Sequence, residues 1–196
     1  MERSRLSVAL TEMARIVGAV ASYCDSTEHN EKRDNQALST AAERLRNLTL
    51  FFAAETGTDL RGCYADRIQA REATSALEGL QPSPAAELRR AKSWRDLQLA
   101  QVRHDRHYHP DVFGLPRREQ LQHFALHLAK ITGDMAALFD ADEVVWTSFA
   151  RRRIADMCLF GVKLSTVANE RLSDEPVLEL HAPRKAAQAV KRSHYV

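Results

Sequence analysis

The stretch "HFALHLAKITGDMAALFD", residues 123 to 140, carries four side chains with chemical potential: His123, His127, Lys130 and Asp134, spaced 4, 3 and 4 residues apart. At about 100° per residue they fall on one narrow helical stripe. An i, i+4 histidine pair can chelate an ion from a helix, and a cation and carboxylate one turn apart can pair or face a ligand together. Apolar Leu121, Phe124, Leu128, Ile131, Met135 and Leu138 flank the stripe on one side. Small residues, Ala129, Gly133, Ala136 and Ala137, flank it on the other and are expected to let another helix approach closely. Further on, "RRRIADMCLFGVKLSTVA" holds only Asp156 and Lys163 as charges after Arg153. Such charges must be paired or must bind something, because an isolated buried charge is costly.

A second concentration of chemistry lies just upstream. "RHDRHYHPDVFG" contains His104, His107 and His109 with Asp105 and Asp111, so five of the eight histidines fall between residues 104 and 127. With His123 and His127 they form a candidate ligand set for Zn²⁺ or Fe²⁺. No HExxH or Cys/His knuckle accompanies them. Histidines before Pro110 and Gly114 can equally cap carbonyls, stack on Tyr108 or be solvated, and their titration near neutrality allows a pH-sensitive contact.

The elements that position these residues read as helices. Apolar residues at helical spacing run through Leu6, Leu10, Met13, Ile16, Val17 and Val20. After a polar loop, Thr40 and Glu43 form a capping-box pattern ahead of "LRNLTLFFAAETG", with Gly57 as C-cap. A shorter helix follows in "DLRGCYADRIQARE", and "EGLQPSP" breaks the pattern. Ser83 and Pro84 are expected to start one long charged helix through Trp94, Leu97 and Val102. Two more helices are expected, from about Arg117 to Phe139 and from about Glu143 to Arg171. Trp94 and Trp146 read as core or interface anchors. The organisation expected is a helical unit over residues 1–78, a linker helix and His-rich loop over 79–116, a second unit over 117–175, and a basic tail over 176–196.

Composition sets the class as all-α. The chain has 196 residues, 44% of them hydrophobic and 28% charged, with only 7 Gly and 6 Pro, which disfavours a sandwich or a disordered chain. A formal net charge of +2 is too mild for a nucleic-acid footprint. Three isolated cysteines, Cys24, Cys63 and Cys158, fit a reducing cytoplasm better than a disulfide framework. No run is expected to reach the ~20 apolar residues of a membrane span. No catalytic signature is present either: there is no P-loop, no GxSxG and no marked nucleophile.

The two ends of the chain resemble each other. Setting "ALTEMARIVGAVASYCD" over "FALHLAKITGDMAALFD" pairs Ala14 with Ala129, Ile16 with Ile131, Gly18 with Gly133, Ala21 with Ala136, and Arg15 with Lys130. Downstream, "RLRNLTLFFA" lies over "RIADMCLFGV", pairing Arg44 with Arg153, Asn47 with Asp156, Leu50 with Leu159 and Phe51 with Phe160. A divergent tandem repeat is the expectation, with each helix pair covering the apolar face of the other.

These segments, together with the turn "GTDL", resemble the MazG-like superfamily of all-α nucleotide pyrophosphohydrolases. That resemblance implies a helical bundle, a nucleoside triphosphate substrate, and Mg²⁺ held by an "EExxE" motif on one helix and "ExxD" on the next. Carried over by position, the last acid of the first motif falls on Asp134 and the Asp of the second on Asp156. The first acids fall on Lys130 and Arg153, and in the first repeat the four positions are Arg15, Ala19, Arg44 and Asn47. Two cations among the ligands would repel Mg²⁺. The expectation is therefore a degenerate site in which Lys130 pairs with Asp134 and Arg153 with Asp156. Its function is then self-association, a protein partner or a nucleotide-like anion, with no membrane and no nucleic acid. The alternative is an active pyrophosphohydrolase that recruits its metal through Asp134, Asp156 and others such as Glu12, Glu43 or Asp142. A histidine-ligated metalloprotein is the third reading.

Overall fold

A computed structural model describes residues 3–29, 34–138, 142–169 and 171–172. The expected basic tail lies outside them. The described residues form eight α-helices and no strand, so the chain is all-α.

Helix α1, Arg3–Glu28, is longer than its apolar spacing predicts. Over Arg5–Ser26 it is long and apolar enough, by length and composition, to cross a membrane, against the expectation that no run would be. Here its apolar residues Leu6, Met13, Ile16 and Val20 are buried in the core. Helix α2, Asn35–Thr56, begins before the expected Thr40–Glu43 box. The Asp34 carboxylate accepts from the Ala37 amide at 2.8 Å and caps an earlier turn. Gly57 ends α2 in the left-handed region at φ 60°, as its sequence predicts, and a residue with a Cβ would be strained there.

Helix α3 is Leu60–Thr74 and α4 is Pro84–Arg90. The expected long helix from Ser83 is two helices, because a second cap interrupts it. Ser93 accepts from the Asp96 amide at 3.1 Å, while the Asp96 carboxylate accepts from the Ser93 amide at 3.0 Å and the Lys92 amide at 2.7 Å. That reciprocal box starts α5, Trp94–Tyr108. A single turn, α6 at Pro110–Phe113, leads to α7, Arg117–Ala136. Helix α8, Glu143–Val167, is capped by Asp142, which accepts from the Val145 amide at 2.8 Å.

Helices α1, α2, α7 and α8 close a ring of contacts: α1 against α2 and α7, and α8 against α2 and α7. Helix α3 packs on α8 and α4, and α5 packs on α4 and α8. The buried stripe of α7 is the expected one: Leu121, Phe124, Leu128, Ile131 and Met135 are all in the core, with Leu138 half-buried beside it. Burying each such side chain contributes roughly 1.5–3 kcal/mol. The small-residue face is different. Ala129, Gly133, Ala136 and Ala137 are exposed, so among the described residues no helix uses them for close approach. Close approach occurs instead at Gly161, where an added Cβ would sit 3.1 Å from Cγ of Arg46, letting α8 lie tightly on α2. Trp146 is buried and meets Phe52 edge-on at 5.9 Å, while Trp94 packs against the core partly buried.

Candidate functional site

Helices α7, α8 and α3 bring Asp134, Arg153, Asp156 and Arg67 together. Arg153 on α8 reaches across to α7, its Nη2 lying 2.5 Å from Asp134 Oδ2, while its Nη1 lies 3.3 Å from Asp156 Oδ2 one turn along its own helix. Arg67 of α3 donates from Nε to the other Asp156 oxygen at 2.7 Å. The guanidinium of Arg153 also lies over the Phe149 ring, 5.6 Å from its centroid. Two carboxylates thus face two guanidiniums in a half-buried, neutral cluster.

This differs from the pairing expected of Lys130. Asp134 takes its cation from the next helix, and Lys130 is exposed with no ion pair among the described residues. The reason is geometric: Asp134 faces α8, where a forked guanidinium can bind two carboxylates at once. Arg67 was not foreseen, since nothing in its own sequence context distinguishes it from a solvated helix arginine. Mg²⁺, which the family resemblance implies, does not fit this donor set. It requires free carboxylate oxygens in near-octahedral array, and here Asp134 and Asp156 already face cations.

The histidines of the expected metal set do not gather in one cluster: His104 lies beside His109, His123 beside His127, and His107 binds the Glu78 carbonyl. His104 is buried, its Nδ1 3.3 Å from Asp105 Oδ1 and its ring 5.1 Å from Tyr108 and 5.4 Å from His109. Nε2 of His107 donates to the Glu78 carbonyl at 2.7 Å. Burial, with Lys163 nearby, lowers the His109 pKa to about 4. On α7 the rings of His123 and His127 are 4.6 Å apart, and His127 stacks on Phe160 at 5.1 Å. Burial is the main cause that lowers both, with Lys163 adding to it at His123 and His123 adding to it at His127. Among the described residues no three of His, Cys, Asp or Glu group so as to hold a metal ion.

A buried polar network lies beneath these histidines. Lys163 Nζ is 2.9 Å from Asp105 Oδ1, and both side chains are 11% exposed. Gln101 donates to the same carboxylate at 2.8 Å and accepts from the buried Tyr64 hydroxyl. Burial pushes the Asp105 carboxyl up, but His104, Lys163 and Gln101 outweigh it, leaving it below the usual range. Lys163 also lies 6.0 Å from the ring centroids of Phe124 and Phe160. Lys163 stood out in the sequence as a charge in an apolar run. Its partner Asp105 stood out only as a companion of the histidines, and nothing in the sequence paired it with Lys163.

A third grouping lies between α1 and α2. A cavity of about 280 Å³ is lined by Arg15 and Arg44 together with Ala19, Asp34, Gln36 and Thr40. No protein-family model, curated protein or solved structure matches the chain.

Proposed function

We propose that this chain is a catalytically silent, MazG-like helical protein that acts as a binding module for a nucleotide-like anion or a protein partner. One observation carries this reading: Arg153 lies between Asp134 and Asp156, the two carboxylates that the resemblance makes metal ligands. Metal-activated attack of water on a nucleoside triphosphate needs those oxygens for the ion. The aligned helices also meet, α1 against α7 and α2 against α8, in keeping with two related helix pairs. The exposed Leu126, 73% accessible, stands near Ala129 and Gly133 on α7 and supports a protein-facing surface.

The test is pyrophosphate release from nucleoside triphosphates by purified protein with Mg²⁺ or Mn²⁺. No turnover above background is expected. Steady turnover that disappears in Asp156→Ala would overturn the reading and establish a working pyrophosphohydrolase.

A further inference from the structure

We propose that the cavity between α1 and α2 binds a phosphate monoester through Arg15 and Arg44. These two guanidiniums share one carboxylate, each lying 3.5 Å from Glu12, at the long end of ion pairing. Among the described residues neither has a carboxylate of its own. Thr40 and Gln36, which line the same cavity, make no hydrogen bond among the described residues. The site therefore offers two forked cations, a hydroxyl and an amide around one space.

The other end of the chain shows what such a cation takes up. Arg44 aligns with Arg153 and Ala19 with Asp134, and there the Asp134 carboxylate lies 2.5 Å from the guanidinium. In the first unit the aligned position is Ala19, whose side chain lines the cavity and supplies no oxyanion. An oxyanion from outside completes the same contact, and a tetrahedral phosphate matches two guanidinium forks better than a planar carboxylate does. Thr40 and Gln36 are then placed to hold the ester portion.

Two features limit the ligand's size and charge. The volume of about 280 Å³ lies just below the range of roughly 300–1,000 Å³ usual for ligand cavities. Asp34 also lines the cavity, its Oδ1 accepting from the Ala37 amide, and it opposes negative charge there, more strongly for a triphosphate than for a monoester. A monoester is preferred over a triphosphate. The proposal rests on the pairing of the two helix units and is independent of whether the Asp134–Asp156 site turns over.

Calorimetric titration of the full chain at low ionic strength tests it, with inorganic phosphate, a sugar phosphate, a nucleoside monophosphate and a nucleoside triphosphate as probes. Saturable binding is expected, tighter for at least one monoester than for inorganic phosphate or the triphosphate. Arg15→Gln with Arg44→Gln should weaken it by at least about tenfold, the scale of one lost charge-assisted contact. Lys130→Gln, on exposed α7 surface, should leave it unchanged, and Glu12→Gln should tighten it by releasing both guanidiniums. Circular dichroism melts of each variant establish that it is folded. Absence of saturable monoester binding, binding that survives in the folded double-arginine variant, or a preference for the triphosphate would each overturn the proposal. The pyrophosphate-release assay reads the other site, so the two proposals fail separately.

Discussion

At the scale of single residues, the most consequential charge is Lys163, because it holds a buried carboxylate and stands near three histidines whose pKa values it lowers. Lys163→Met would leave Asp105 buried without its cation, which costs about 3–5 kcal/mol when a buried pair is broken. The double variant Asp105→Leu with Lys163→Met should recover most of that loss, because a buried pair replaced by apolar groups is often neutral. Urea denaturation of the two variants checks this, and equal losses in both would sink it. The same neighbourhood sets a pH dependence. His109, His123 and His127 have folded pKa values below their ordinary 6.5, so between about 4 and 6.5 the unfolded chain binds more protons than the folded one. Stability therefore falls as pH drops through that window. The Asp105 carboxyl, also lowered, adds a loss of the same sign at more acid pH. Melting temperatures from pH 7.5 to 5 should decline, and His109→Gln should flatten the decline. A flat profile for the wild type would show that these imidazoles titrate alike in both states.

At the scale of elements, α7 and α8 meet through Arg153, and the expected effect of charge removal moves with it. Arg153→Met should cost about 1–3 kcal/mol, less than a fully buried pair because the cluster is only half-buried and Arg67 still holds Asp156. Lys130→Met, at an exposed position, should stay within about 0.5 kcal/mol. The double change Lys130→Glu with Arg153→Glu rebuilds the four-acid pattern of the resemblance and should make the melting temperature rise with added Mg²⁺. Thermal melts with and without Mg²⁺ decide this, and indifference of the double variant would remove the idea that salt bridges stand where a metal site could be. The sequence made the existence of these helices legible, and the buried face of α7 residue by residue, because apolar periodicity records burial directly. It was weaker where local side-chain caps decide. Asp34 and the Ser93–Asp96 box each moved a helix boundary that periodicity alone placed elsewhere. Partners across helices were least legible: Asp134 met Arg153 rather than Lys130, and Arg67 joined from α3, because spacing along one helix does not reveal what a neighbouring helix brings.

At the scale of the whole molecule, the ring of α1, α2, α7 and α8 makes the two ends of the chain depend on each other. Each of the four helices contacts one neighbour close in sequence and one from the far end, and α3 and α5 both lean on α8. Core residues of α1 and α2, such as Ile16, Leu45 and Phe52, are 1% exposed or less, and that burial includes cover from helices more than 60 residues away. Cutting the chain at residue 78 would expose that face, and the three helices α1 to α3 alone bury too little apolar surface to offset their conformational entropy. Residues 1–78 alone should therefore show no cooperative monomeric unfolding, while the full chain should unfold in one transition seen alike by circular dichroism and tryptophan fluorescence. Both tryptophans lie outside that fragment, at 94 and 146. The comparison is therefore direct for circular dichroism, with analytical ultracentrifugation to exclude self-association of the fragment. A fragment that melts cooperatively as a monomer would mean that residues 1–78 hold their own core, and that the contacts of α1 with α7 and α2 with α8 join two finished pieces rather than completing one.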